Sequence, residues 1–288
     1  MATYQIIQPD AANTTYNISD GTYCQLQYPN GISGIGLPSI TRDLQRHPNI
    51  EGAIDHGFTL EPLDMMLNLY YNVSSAAAAD ARRDAIYKIF RPFDDSLKLK
   101  VTRDDGAIRQ IDVHTVGMLD LPMAERVGYD QGFGVRLLAP KPIWYEPVVY
   151  TVTITPSASP WVSTVSYTGN WDSYPVIKVY GEVVDFSFNS IVVTSTDTTT
   201  YNTGSFDIPA GDIYTFDLRP GYKTVTNAAG VSLLGSAIAQ NTFDFLFGFR
   251  LFPDPIEAGG ANQIIGSYTS KDGTHKIQFL YYRRFLGI

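Results

Sequence analysis

Four histidines, His47, His56, His114 and His275, and one cysteine, Cys24, are the side chains of this 288-residue chain best suited to hold a transition metal. They lie far apart, and neither His-x-x-x-His nor Cys-x-x-Cys spacing occurs, so no zinc site is expected. Asp112 and His114 sit two apart on one predicted strand and therefore share a face, a spacing that could orient an imidazole for proton transfer. The polar outer face of a sheet produces the same pattern and is the plainer reading. The carboxylate pairs Asp94–Asp95 and Asp104–Asp105 suggest glycoside hydrolysis, but that chemistry needs two acids held about 5–9 Å apart across a cleft, which adjacent residues do not supply. Both pairs read as turn residues, where Asp bonds nearby backbone N–H groups.

Gly31-Ile32-Ser33-Gly34-Ile35-Gly36 looks like a phosphate-binding glycine loop, yet it is not placed between a strand and a helix, and Leu37-Pro38 follows it. A flexible loop is expected there. Asn13-Thr14-Thr15 and Asn17-Ile18-Ser19 match glycosylation acceptors, but the start Met1-Ala2-Thr3-Tyr4-Gln5 has neither the basic residues nor the apolar run of a secretion signal. No stretch approaches the roughly 18 apolar residues of a membrane span. Synthesis in a cytoplasm, no membrane span, no cofactor, and no catalytic, cofactor-binding or metal residues are the resulting expectations. The chain does not read as an enzyme.

The elements are mostly strands. Tyr150, Val152 and Ile154 alternate with Val149, Thr151, Thr153 and Thr155, the period of a half-buried strand. The same period in 243–251 places Phe243, Phe245, Phe247, Phe249 and Leu251 on one face. Strands are expected at 97–103 and 107–116 around Asp104-Asp105-Gly106, and near 262–269 and 274–285 around Ser270-Lys271-Asp272-Gly273, Asp-Gly being a hairpin signal. Residues 74–90 break the pattern: strong helix formers carry an apolar stripe at Ala79, Ile86, Ile89 and Phe90, with Ser74 or Ser75 able to cap the start and Pro92 stopping the end.

Composition agrees with a mainly β chain. Hydrophobic residues make up 44% and charged residues 17%, and 19 Tyr and 15 Phe favour pleated surfaces over helices. One cysteine excludes an intramolecular disulfide, so packing must hold the fold. The length suggests two domains at roughly 150 residues each. The proline-rich passage Ala139–Pro147 interrupts both periodicities and sets the boundary, giving domains 1–147 and 148–288. The net charge of −8 argues against binding phosphate backbones, because counterion release needs clustered Lys and Arg.

The order of signals in the first half resembles that of the phage distal tail protein family: a polar hairpin region, Met65-Met66-Leu67-Asn68-Leu69-Tyr70-Tyr71, the helix, Phe90-Arg91-Pro92-Phe93, a hairpin, and an aromatic-proline exit. That exit, Gln131-Gly132-Phe133-Gly134-Val135-Arg136-Leu137-Leu138-Ala139-Pro140-Lys141-Pro142-Ile143-Trp144-Tyr145-Glu146-Pro147, is the most specific piece. Gly169-Asn170-Trp171-Asp172-Ser173-Tyr174-Pro175 with Val176–Gly181, then Phe216-Asp217-Leu218-Arg219-Pro220-Gly221, and finally Tyr281–Ile288 are similar to segments of the family's second domain. One departure is local: Glu61-Pro62 is followed by Leu63 where relatives often carry Arg.

The resemblance implies a tail-tube-like β-sandwich with one helix and ring-forming capacity, followed by a galectin-like β-sandwich. It implies a structural virion protein, forming a homohexameric ring at the distal end of a long tail between tail tube and tip or baseplate. The implied partners are the tail tube protein, a tail hub or tail-associated protein and a receptor-binding protein, with tape measure and DNA only in transit through the lumen. Six copies would carry about −48 before bound ions, a field that keeps DNA from adhering if the acidic groups face inward. The alternative is a carbohydrate-binding sandwich for host adhesion, with Trp161, Trp171 and Tyr174 as candidate exposed aromatics.

Overall fold

The computed structural model describes residues 2–27, 31–46, 53–121, 129–193, 198–203, 205–234, 246, 248–253 and 262–288. The chain forms two compact units, Met1–Pro147 with Leu286–Ile288, and Val148–Phe285. Both are mainly β, and no helix among the described residues is long and apolar enough to cross a membrane.

In the first unit an antiparallel sheet runs Thr15–Asn17, Thr3–Ile7, Leu97–Thr102, Ile108–Val116, Gln131–Ala139, Leu63–Tyr71 and Gln25–Leu26. Strand Ile108–Val116 joins its two halves: residues 108–113 pair with Leu97–Thr102, and His114–Val116 pair with Arg136–Leu138. Alternation is strict where the core lies. Leu63, Met65, Leu67, Leu69 and Tyr71 are buried, as are Gln131, Phe133, Val135, Leu137 and Ala139 directly opposite. The hairpin at Asp104-Asp105-Gly106 forms as expected, with Gly106 at φ 82° and Asp105 Oδ1 accepting from Ala107 N at 3.0 Å.

The helix is Ala76–Ile89. Ser75 caps it by accepting from Ala78 N at 3.2 Å, and Ala79, Ile86 and Ile89 are buried. Its last carbonyls, which have no partner inside a helix, are met by a side chain from far upstream: buried Gln8 donates Nε2 to Lys88 O at 2.7 Å and Ile89 O at 3.1 Å. The stripe Gly31–Gly36 is not the expected loop throughout, because Ile32–Ser33 forms a short strand on Leu67 and Met66.

The second unit is two packed sheets. One runs Tyr150–Ile154, Lys276–Tyr281, Val176–Tyr180, Ile213–Asp217 and Thr224–Thr226; the other runs Trp161–Val165, Asn262–Ser267, Val183–Val193 and Thr198–Asn202. Between them lies a core rich in rings, including Trp161, Tyr167, Phe186, Phe206, Phe216, Phe249 and Phe279.

Two strand expectations need correction. Asn262–Ser267 and Lys276–Tyr281 are strands, but they belong to different sheets, so Ser270–Gly273 is a crossing between layers and no hairpin. In 243–251, residues 243–245 and 247 lie outside the described residues, while Leu246 and Gly248 are helical. Leu246 and Phe249, three apart, are both fully buried, which is the spacing of a helix and not of a strand face; among the described residues of this segment only Leu251 makes a β-bridge, to Ser173.

Gln8→Ala would leave two helix-end carbonyls in a buried site without a donor. The expected loss is about 1–3 kcal/mol from the first unit, seen as an earlier urea midpoint and faster hydrogen exchange near Phe90. An unchanged midpoint would show that the cap contributes nothing.

Candidate functional site

None of the residues weighed for chemistry assembles into a reactive centre among the described residues, where no group of three His, Cys, Asp or Glu side chains is placed to hold a metal. His47 lies outside the described residues; His56 is exposed and bonds Gln45 at 2.9 Å, and His275 is buried. Asp112 and His114 do share a face of their strand, but the Asp112 carboxylate accepts from the Tyr145 hydroxyl at 2.8 Å. Asp94 and Asp95 occupy an exposed bend, and Asp104 and Asp105 the hairpin turn. Cys24 is buried, and burial pushes its thiol up to about 12, which makes it unreactive.

Of the three aromatics, Trp161 is buried and Trp171 and Tyr174 are half-buried. Trp161 packs over Gly266 on the neighbouring strand, where a Cβ would stand 2.2 Å from the indole ring. The missing side chain at 266 is what admits a tryptophan to the core, so the expectation of an exposed Trp161 is corrected.

The three second-half segments that carry the family resemblance meet in one place. Trp171 bridges Arg284, and Leu218 N donates to Pro175 O at 3.2 Å. The buried Tyr167 hydroxyl donates to Trp171 O at 2.6 Å and accepts from Arg284 N at 2.8 Å. Ser173 Oγ donates to Tyr282 O, Arg284 Nη1 to Asp172 O, and Lys223 Nζ to both Leu218 O and Leu246 O, all within 2.6–2.7 Å. Arg250 pairs with Asp172 at 3.0 Å, and Lys223 and Arg284 stand over the Tyr174 ring at 4.9 and 5.6 Å. Burial pushes the Tyr167 phenol up to about 12 and raises the Asp172 carboxyl, which Arg250 and Arg284 partly offset. These polar groups hold one another and the backbone, so the junction serves the fold.

Among the described residues, a two-stranded arm carries apolar side chains that no core covers. Ile40–Gln45 and Ile54–Leu60 pair with each other in a separate sheet, and almost every residue in them is exposed. Residues opposite one another across a ladder share a face, so Ile40, Arg42 and Leu44 line up with Leu60, Phe58 and Asp55. Ile40, Leu44 and Phe58 are 46%, 56% and 50% exposed, which places an apolar stripe in solvent with a single Arg42–Asp55 ion pair among it. A bulge between Arg42 and Leu44 contains Gly57 at φ 118°, a conformation that side chains resist. Asp55 Oδ1 accepts from Gly57 N at 3.0 Å; that bond and then Arg42 hold its carboxyl below the ordinary range. At the arm's base Glu61 N bonds Ser39 O at 2.9 Å, and strand Leu63–Tyr71 follows directly. Sequence periodicity does not single out this arm, because an exposed strand has no buried face to impose one and the bulge breaks its period.

No protein-family model matches the chain, and no curated protein sequence does. Among solved structures it is similar to the SPP1 Dit (gp 19.1) protein, described as a paradigm of the hub adsorption apparatus in Gram-positive infecting phages. The TM-score is 0.64 at 12% identity, over 99% of this chain and 100% of that one. It is also similar to a chain of the phage P2 baseplate in its activated conformation with Ca, with a TM-score of 0.50 at 8% identity, over 98% of both chains. At such identities the likeness concerns fold, and the fold is that of the SPP1 Dit protein along its whole length.

Tyr167→Phe removes a hydroxyl that serves two buried backbone groups. The second unit is expected to lose about 1–3 kcal/mol, measured as a lower urea midpoint with unchanged slope. An equal midpoint in the variant would mean that Trp171 O and Arg284 N find other partners.

Proposed function

We propose that the chain is a structural subunit of a long phage tail, assembling through the first unit into a ring at the distal end, between the tail tube and the tip or baseplate. The observation that carries this reading is the end-to-end likeness to the SPP1 Dit protein, which takes in 99% of this chain and 100% of that one. A tail-tube subunit would need only one unit of the first kind. Copies meeting head to tail around a symmetry axis bury the same surface at every contact, and an apolar stripe on a projecting arm is a surface of that kind. In this reading the ring is a hexamer with an open centre, its neighbours are the tube protein, the hub and a receptor-binding protein, and DNA meets it only in transit. The virion is its location, and its role is architectural with no catalytic step.

The carbohydrate-binding alternative loses one of its three aromatics with Trp161 in the core, and Tyr174 is stacked under Lys223 and Arg284. No observation favours it over the ring.

The arm gives the direct test. Leu44→Asp with Phe58→Asp changes two side chains that already face solvent, so the unfolding transition should move by no more than about 0.5 kcal/mol for each. Sedimentation velocity of the parent chain should show a concentration-dependent oligomer that the double variant lacks. A double variant that assembles like its parent would remove the arm from the proposal.

A further inference from the structure

His275 is a titratable group that neither the arm nor the segment junction uses. It is 1% exposed and lies where the second unit's chain crosses between sheets. Just before it, Ser270–Lys271 pairs with Val183–Val184 in one sheet; just after it, Lys276 stands opposite Tyr180 in the other. A second crossing, Tyr180-Gly181-Glu182, runs alongside. Gly181 comes so close that a Cβ there would be 2.8 Å from the His275 backbone, and Asp272 N donates to Glu182 O at 3.0 Å.

The ring fastens the two crossings together. His275 Nδ1 stands 3.0 Å from the Tyr180 carbonyl, which can only accept, so the neutral imidazole carries its proton on Nδ1 and donates there. Its Nε2 has no hydrogen-bond partner among the described residues, and the rings of Phe186 and Tyr268 flank it at 5.3 and 5.9 Å between centroids. A neutral Nε2 tolerates that position as an unused acceptor. A protonated one would be a charged donor with no acceptor among the described residues.

We propose that this corner is an acid-released latch, in which protonation of His275 opens the paired crossings Tyr180–Glu182 and Asp272–His275 and loosens the two sheets there. The surrounding charges do not compensate the added proton. Lys271, on the same loop, opposes it, and Lys276 is held 4.8 Å over the Tyr180 ring. Asp272 favours it, but its carboxylate is engaged by Thr274 N at 3.0 Å and Thr274 Oγ1 at 2.6 Å. Asp185, on the adjoining strand, accepts from Thr269 Oγ1 at 2.9 Å, and Glu182 contributes its backbone carbonyl to Asp272.

Burial is the largest influence and holds the imidazole below its ordinary value. The closed corner therefore binds the proton less well than the open one, whose histidine titrates near the ordinary value of about 6.5. The latch is fully closed above that pH. Below it the open form takes up a proton, and the opening equilibrium rises by up to about tenfold per pH unit until the closed form titrates too.

Hydrogen exchange of the full chain between about pH 7.5 and about pH 5.5, corrected for intrinsic rates, tests this against His275→Gln, which keeps a donor and cannot charge. Peptides covering 176–186 and 268–281 should exchange up to about tenfold faster per unit below about pH 6.5 in the parent, with the helix Ala76–Ile89 unaffected and the variant showing no such change. An equal response in the variant, or none in the parent, overturns the latch. If the variant does not fold, NMR titration of His275 in the parent decides: a midpoint below the ordinary value supports it, and one at or above that value overturns it.

Discussion

The register between Leu63–Tyr71 and Gln131–Ala139 governs the first unit, because every residue opposite a buried one is itself buried. Side chains in a strand alternate with a period of two, so a slip of Leu63–Tyr71 by one position would turn Asp64 and Asn68 into the core and Leu67 and Leu69 out of it. The slip would also part Asp64 from Arg136 and bury its carboxylate without that partner, which is costly. The arm inherits this register. Leu60 is followed by Glu61, Pro62 and then Leu63, so the ladder that fixes Leu63 against Ala139 also fixes where the arm leaves the unit.

The second unit is held differently. Its sheets pack rings between them, and its connections are tied by polar groups that reach across many residues: Tyr167 to Trp171 and Arg284, Ser173 to Tyr282, and buried Asn262 to both Val165 and Phe252. Without a disulfide, these bonds and the ring packing must position every crossing.

Much of this fold was legible because burial imposes a period. The alternation of Leu63–Tyr71 and Tyr150–Ile154, the capped helix after Ser75, and the Asp105-Gly106 turn are each written in residues that neighbour one another in sequence. What could not be read depends on residues far apart. Asp272-Gly273 marks a turn, but whether it closes a hairpin or crosses between sheets depends on partners 90 residues upstream, at Tyr180 to Val184. Phe249 fits an alternating row by sequence, yet it is buried together with Leu246 in helical spacing. Trp161 looks like a surface aromatic until Gly266 is set opposite it. The arm was legible only as a polar hairpin region, and its apolar stripe escaped for the opposite reason, since a strand exposed on both faces has nothing to enforce a pattern, while the second-half segments that carry the family resemblance are the ones that tie the second unit together.

The central claim is that copies of this chain close into a ring. Negative-stain electron microscopy of the purified chain at high concentration, with class averages sorted for rotational symmetry, tests it most directly. The account predicts six-fold rings with an open centre. Single particles without rotational symmetry, persisting after a tail-tube or hub partner is added, would contradict it.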